Sequence, residues 1–214
     1  MKRKAIYEAR WILAVLVPLW LAAMMVSAVL ALPLALALLF TLYFFRDPVR
    51  KPPADPALAV APADGVVVAV GDVDGDGLLG GPVRRVVIFL SVFDVHVNRS
   101  PIAGRVEHSE ERTGEFLDAR NPESSVRNAR RTWVIRGASC AVVVRQITGA
   151  IARRIVAWKQ VGDPLRRGQR FGMIRFGSRT EVDFPAGTEL LVEVGARVRA
   201  GETPVARIPA GVDS

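Results

Sequence analysis

Val161-Gly162-Asp163-Pro164-Leu165-Arg166-Arg167-Gly168 and Val194-Gly195-Ala196-Arg197-Val198-Arg199-Ala200-Gly201 repeat one pattern: Val-Gly, an apolar residue three positions on, then a second glycine. Each copy leads into an apolar stretch, ending at Ile174 and Ile208. Glycine at both ends of so short a unit supplies the positive φ that tight turns between short strands need. A second, weaker pair is Pro62-Ala63-Asp64-Gly65-Val66-Val67 and Pro101-Ile102-Ala103-Gly104-Arg105-Val106. Two pairs of copies predict a compact β structure with approximate two-fold character.

The Val-Gly pattern is similar to that of barrel-sandwich hybrid domains of the lipoyl and biotinyl type. The expected fold is therefore mainly β and barrel-sandwich-hybrid-like. Val/Ile-rich runs bounded by turn residues predict strands at Val66–Val70, Val83–Leu90, Trp133–Arg136, Ala141–Ile147, Ile151–Trp158, Arg170–Phe176, Glu181–Phe184 and Glu189–Val194. Val73 to Pro82 reads as a hairpin loop or mobile flap, and Glu123 to Arg131 as a short surface helix. The loop lacks the closing acidic residue of a calcium-binding EF-hand.

The other end of the chain differs. Trp11 to Phe45 is a 35-residue run without a charge. It is too long for the apolar region of a cleaved signal peptide. As one helix it would measure about 52 Å at roughly 1.5 Å per residue, against a hydrocarbon core of about 30 Å. The expectation is an N-terminal hydrophobic helical membrane hairpin, spanning or re-entrant, that breaks near Ser27 to Pro33; one long tilted helix and a buried core helix of a soluble protein are the alternatives. Both flanks are basic, which places them and the following domain on the cytoplasmic face of the cell membrane. Tyr43, Phe44 and Phe45 beside Arg46 read as an interfacial anchor. The domains expected are a basic flank at 1–10, a membrane segment at 11–45, a proline-rich linker at 46–62 acting as an extended arm, and a β domain at 63–214.

Composition removes several classes. The 214 residues carry 29 cations and 21 anions, a net charge of 29 − 21 = +8. That balance suits an anionic lipid surface beside an apolar segment better than nucleic acid, for which no motif is present. Half the residues are hydrophobic, which excludes disorder. Cys140 is the single cysteine, which excludes a disulfide scaffold and, with only two histidines, argues against a zinc site. No metal is expected.

Few groups can move protons. In Ser91-Val92-Phe93-Asp94-Val95-His96-Val97-Asn98-Arg99-Ser100-Pro101 the polar Asp94, His96 and Asn98 alternate with valines, so a strand would align them on one face. They form either a site or the solvent side of a half-exposed strand. His108, among Glu107, Glu110 and Glu111, reads as solvated. Asp64-Gly65 is a turn signal first. Gly177-Ser178, taken alone, reads as a turn, and the G-x-S-x-G elbow of hydrolases is absent around Ser178.

Taken in order, the blocks Tyr43-Phe44-Phe45-Arg46-Asp47-Pro48, Pro62-Ala63-Asp64-Gly65, Phe93-Asp94-Val95-His96-Val97-Asn98-Arg99, Gln146-Ile147-Thr148-Gly149 with Ala152-Arg153-Arg154-Ile155, and Phe171-Gly172-Met173-Ile174-Arg175-Phe176-Gly177-Ser178-Arg179 resemble the short-form phosphatidylserine decarboxylases, which are pyruvoyl-dependent. The resemblance implies self-cleavage at Gly177-Ser178. The products would be a β chain of 1–177 and an α chain of 178–214 whose Ser178 becomes the pyruvoyl cofactor. It also implies that this group forms a Schiff base with phosphatidylserine and releases CO2 and phosphatidylethanolamine. His96 is assigned as proton donor and base, with Asp64 as its orienter. Long-form members carry a second histidine where this chain has Arg99. Either one histidine serves both steps, or Arg99 binds the phosphodiester or carboxylate. The implied partners are phosphatidylserine, the bilayer and the two cleaved chains as a heterodimer, with higher homo-oligomers left open.

Two rival readings stand beside this one. A membrane-anchored lipoyl-like carrier or adaptor would need a modifiable lysine at a hairpin tip. Only Lys51 and Lys159 follow the apolar segment. A pyruvoyl decarboxylase of another amino-acid headgroup, or an inactive homologue, would share the same residues.

Overall fold

The computed structural model describes residues 4–150, 154–175 and 178–208. It divides into two units, Met1–Val49 and Arg50–Ser214.

The first unit is helical. A short α1 (Lys4–Glu8) precedes α2 (Arg10–Val26) and α3 (Ala28–Phe44), each of the last two with 17 residues. Leucine and alanine favour helix throughout the run. It breaks at Ser27, whose backbone is extended at φ −165° and ψ 136°. The Ser27 hydroxyl accepts the Val29 N–H at 3.2 Å and so caps α3. Pro18 and Pro33 lie inside the helices without ending them. The two helices pack against each other. Each is about 25 Å long, and among the described residues no helix is long and apolar enough to cross a membrane. The Arg10 guanidinium stacks 4.0 Å from the Tyr7 ring at the start of α2, and that of Arg46 lies 3.8 Å from the Tyr43 ring at the end of α3.

The second unit is β with one helical turn. In chain order it contains β1 (Leu58–Val60), β2 (Gly65–Val73), β3 (Val83–Leu90), β4 (Val97–Arg99), β5 (Gly104–Arg112), α4 (Ser124–Arg127), β6 (Arg130–Arg136), β7 (Ala141–Ile147), β8 (Arg154–Ala157), β9 (Pro164–Leu165), β10 (Arg170–Arg175), β11 (Ser178–Pro185), β12 (Glu189–Leu190), β13 (Arg197–Val198) and β14 (Pro204–Arg207). Eight strands form one antiparallel sheet in the order β13-β2-β3-β11-β7-β6-β5-β9. Two three-stranded sheets, β1-β14-β12 and β4-β10-β8, complete the unit.

The sequence repeats are repeats of structure. Gly162 and Gly195 have φ of 91° and 92°, and Gly168 and Gly201 have 72° and 75°. Gly168 N–H donates to Ser100 O, and Gly201 N–H to Ala61 O, one residue before each proline of the second repeat. Gly104 then pairs with Leu165 as Gly65 pairs with Val198. A Cβ on Gly65 would fall 2.1 Å from Phe89 O, and one on Gly104 2.2 Å from Arg136 O. The large sheet therefore reads alike from either end.

Strand alternation divides the sheet into two faces. One buries Val86, Ile88, Leu90, Trp133, Ile135, Val142, Val144, Val182 and Phe184 in a single core. The other carries charge. Asp183 accepts two bonds from Arg85, at 2.6 and 2.9 Å, and one from Arg145 at 2.6 Å. Arg145 also holds Asp76 of the glycine-rich loop at 2.6 Å, while Glu181 accepts from Ser125 at 2.5 Å and from Arg179 at 2.9 Å. The stretch expected as a hairpin loop or mobile flap is the loop of the β2–β3 hairpin; it is tied to the sheet through Asp76, and Leu79 packs against the Val134 and Val143 cluster. Burial pushes the Asp76 carboxyl up, but the Arg145 hydrogen bond and charge outweigh it and hold the carboxyl below the usual range.

Residues 50–62, expected as an extended arm, belong to the β unit. Arg167 binds the carbonyls of Pro53, Asp55 and Leu58, and β1 pairs with β14. The proline-rich segment gains these partners because Arg167 sits in the first glycine repeat.

Candidate active site

Ser178 opens β11 in the middle of the large sheet, opposite Leu90 of β3. Alternation places it on the core face with Thr180, Val182 and Phe184. Its side chain is fully buried, and its Oγ makes no hydrogen bond to any described residue. A buried hydroxyl without a partner costs about 1–3 kcal/mol, so folding alone does not account for a serine here. Gly177, the other half of the expected cleavage bond, lies outside the described residues, as do Phe176, residues 151–153 of the strand expected at Ile151–Trp158, and the chain from 209 onward.

The register brings other expected residues to the same end of the sheet. Val198 pairs with Gly65, Val66 with Phe89, and Phe89 with Arg179. Asp64 therefore enters the sheet on the row where β11 begins, and the loop after Leu90 leads from that row to His96.

That loop is a closed turn. Asp94 N–H donates to Ser91 O, Ser91 N–H returns to Asp94 Oδ2 at 2.9 Å, and Arg197 of β13 holds Asp94 Oδ1 at 3.0 Å. His96 follows, fully buried. Its Nδ1 lies 3.0 Å from the Asp94 carbonyl oxygen. A carbonyl only accepts, so Nδ1 is the donor and Nε2 is the nitrogen left to exchange a proton with other groups. The His96 carbonyl accepts Ile174 N–H, which fixes the residue against β10.

Asp64 is buried with both carboxylate oxygens engaged, Oδ2 by Arg50 at 2.8 Å and Oδ1 by Ala200 N–H at 2.8 Å. Burial pushes its carboxyl above the usual range and the Asp94 charge adds to this, while Ala200 N–H and Arg50 oppose it. Arg50 also binds Glu202 at 2.7 Å. Arg50 gave no sequence signal as part of the site.

Arg99 is placed differently. Alternation along β4 sets Val97 and Arg99 on the side opposite His96 and Asn98. Its guanidinium donates to Gly168 O at 3.1 Å, and its Cδ lies where a Cβ on Gly201 would come within 2.8 Å. His108 is half exposed on β5, with Nε2 3.8 Å from Glu110. Lys159, required by the carrier reading, donates to Pro164 O at 3.2 Å. Among the described residues no cluster of histidine, cysteine, aspartate or glutamate could hold a metal ion.

The arrangement thus offers a buried hydroxyl with no hydrogen-bond partner among the described residues, an imidazole whose Nδ1 faces a backbone carbonyl, and a carboxyl raised by burial on the same sheet row. These are the parts that acyl transfer from a backbone carbonyl to a serine oxygen needs.

A family model described as phosphatidylserine decarboxylase matches residues 37–206. A protein of Symbiobacterium thermophilum is 46% identical over 211 residues, covering 98% of each chain. One of Trichlorobacter lovleyi is 49% identical over 193 residues, 87% of this chain and 86% of its own. One of Carboxydothermus hydrogenoformans is 44% identical over 202 residues, 94% and 95% of the two. All three are named phosphatidylserine decarboxylase proenzyme.

Proposed function

The chain belongs to the phosphatidylserine decarboxylase family, and from that premise we propose that it decarboxylates phosphatidylserine to phosphatidylethanolamine and CO2 with a pyruvoyl group made from its own Ser178. The observation that carries this is the buried Ser178 hydroxyl with no described partner, at the first position of a central strand. The proenzyme naming of the relatives supports processing of a precursor.

Self-cleavage follows from the residues present. His96 Nε2 takes the Ser178 hydroxyl proton, and Oγ bonds to the Gly177 carbonyl carbon. The C–N bond between the residues breaks, and His96 returns the proton to the departing nitrogen, which leaves as an amine. The resulting ester loses the Ser178 Cα proton and expels the Gly177 carboxylate, leaving dehydroalanine. Water then replaces nitrogen, releases ammonia and leaves a keto acyl terminus. Asp64 orients the site through its place beside Gly65, and Arg50 and Ala200 N–H fix its carboxylate.

The pyruvoyl carbonyl supplies the sink for the electron pair that carboxylate loss releases. His96 delivers the proton to the substrate carbon. The apolar core face under Ser178, formed by Leu90, Ile88 and Val182, keeps water away from the reacting end.

The small chain stays bound after cleavage. Its β11 pairs with β3 and β7, β13 with β2, and β14 with β1. We read the β unit, with its paired glycine turns, as a barrel-sandwich hybrid. We place the helical hairpin in the cytoplasmic leaflet of the cell membrane. The support is the charge-free run from Trp11 to Phe45, helices of about 25 Å, and the arginine–aromatic stacks at its open end. Phosphatidylserine is then met in the surface that contains it.

The test uses phosphatidylserine vesicles. Wild-type protein releases CO2 and forms an amine lipid; Ser178→Ala does neither and stays one chain. A Ser178→Ala variant that decarboxylates at the wild-type rate overturns the proposal.

A further inference from the structure

Asn98 is fully buried, and all of its amide is engaged. Nδ2 donates to Pro62 O at 3.3 Å and to Thr180 Oγ1 at 3.2 Å, while Oδ1 accepts from Gln146 Nε2 at 2.8 Å. Gln146 Oε1 in turn accepts from Trp133 Nε1 at 2.7 Å. The orientation of every amide in this chain is determined. An indole N–H only donates, so Gln146 must turn its oxygen to Trp133 and its NH2 to Asn98. Asn98 must then turn its own NH2 to Thr180 and Pro62.

The residues so joined stand at equal distance along the chain from the proposed site. Asn98 is two residues after His96, Thr180 two after Ser178, and Pro62 two before Asp64. Strand alternation puts Ser178 and Thr180 on one face, and Gln146 lies directly opposite Thr180 in the register. The path is also kept open. Gly172 pairs with Asn98, and a Cβ there would lie 2.7 Å from Val156 O and 3.1 Å from Gln146 Nε2. Phe171 packs edge-on against Trp133 with ring centroids 5.2 Å apart, which fixes the donor at the head of the chain. Apolar side chains of the same shape would serve stability about as well as a buried amide chain.

We propose that Asn98 is a positioning residue, which sets the three segments bearing Asp64, His96 and Ser178 against one another through the Pro62 carbonyl and the Thr180 hydroxyl. Trp133 and Gln146 fix the direction in which its amide faces. The inference rests on self-cleavage at Ser178.

The test is the rate of chain splitting, followed by pulse–chase of the full chain during translation in vitro. Thr180→Val keeps the shape and removes the hydroxyl; it splits about tenfold more slowly or worse, the equivalent of one buried hydrogen bond. Thr180→Ser restores the hydroxyl and recovers the rate. Asn98→Asp turns an oxygen toward the Pro62 carbonyl, which can only accept, and splits more slowly than wild type. Unfolding is measured in the uncut Ser178→Ala background, where Thr180→Val and Thr180→Ser melt together. A Thr180→Val chain that splits at the wild-type rate, or a Thr180→Ser chain as slow as it, overturns the inference alone. A wild-type chain that never splits overturns both this and the reading on which it rests.

Discussion

Gly65 and Gly104 occupy equivalent places in the two halves of the large sheet, and replacing each by alanine separates packing from chemistry. A Cβ on Gly65 would lie 2.1 Å from Phe89 O, 2.9 Å from Phe89 C and 3.0 Å from Ile88 Cγ2. A Cβ on Gly104 would lie 2.2 Å from Arg136 O and 2.7 Å from Arg136 C. Either substitution pushes two paired strands apart, an overpacking cost of about 1–3 kcal/mol. Gly65 adds a φ of +150°, which L-residues rarely adopt, for about 1–3 kcal/mol more. Gly65→Ala should therefore lose about 2–6 kcal/mol and Gly104→Ala about 1–3. In a β unit of this size that lowers Tm by about 2–4 °C for each kcal/mol. The two differ in what they displace. Gly65 follows Asp64 and stands on the row that leads to Ser178, whereas Gly104 pairs with β9 at the far end. Differential scanning of both in the uncut Ser178→Ala background gives the stability difference, and denaturing gels give the splitting rate in the cleavable chain. Gly65→Ala should split markedly more slowly than a Gly104→Ala chain held at equal stability by temperature. Equal splitting rates, or a Gly65→Ala Tm unchanged from its Ser178→Ala parent, would refute the reasoning.

Asp183→Ala removes the carboxylate shared by Arg85 and Arg145, and urea unfolding should show a loss of about 3–5 kcal/mol because it leaves the buried Arg145 and the partly buried Arg85 each short of a partner. Adding Arg145→Met should recover part of that loss. Asp76 has its carboxyl held below the usual range, so its contribution to stability is present above about pH 4 and is lost as pH falls through the lowered value. Asp76→Asn should flatten the acid limb of the stability curve, and an unchanged limb would exclude the Arg145 contact as its cause. His96→Ala should block splitting; normal cleavage with normal decarboxylation would remove His96 from both steps.

Parts of this were plain in the chain itself. The strands at Val83–Leu90 and Ala141–Ile147 appear with the expected ends, because β-branched runs there stop at turn residues. The glycine repeats carried over into matching backbone angles, and the apolar run broke at Ser27. β5 escaped notice because its sequence, Gly-Arg-Val-Glu-His-Ser-Glu-Glu-Arg, shows one buried valine among charges. β1, β13 and β14 are too short to show a period, so the segment before Pro62 read as an arm. Arg145, Glu181 and Asp183 are buried charges on the second face of the sheet, and strand alternation alone does not show that other segments cover them. In the site, alternation pointed to His96 and Asn98, but Ser178 came from resemblance, since Gly-Ser alone says nothing. Gln146, Thr180 and Arg50 become visible only once the sheet register joins residues far apart in sequence.

The central claim is that Ser178 becomes a keto acyl terminus. Intact mass spectrometry of the purified protein under denaturing conditions, with and without hydroxylamine, tests it most directly. Two chains should separate between 177 and 178, the smaller one lighter than its translated sequence by one ammonia and shifted by one oxime after treatment. A single full-length mass in active protein, or a small chain that ignores hydroxylamine, would contradict the account.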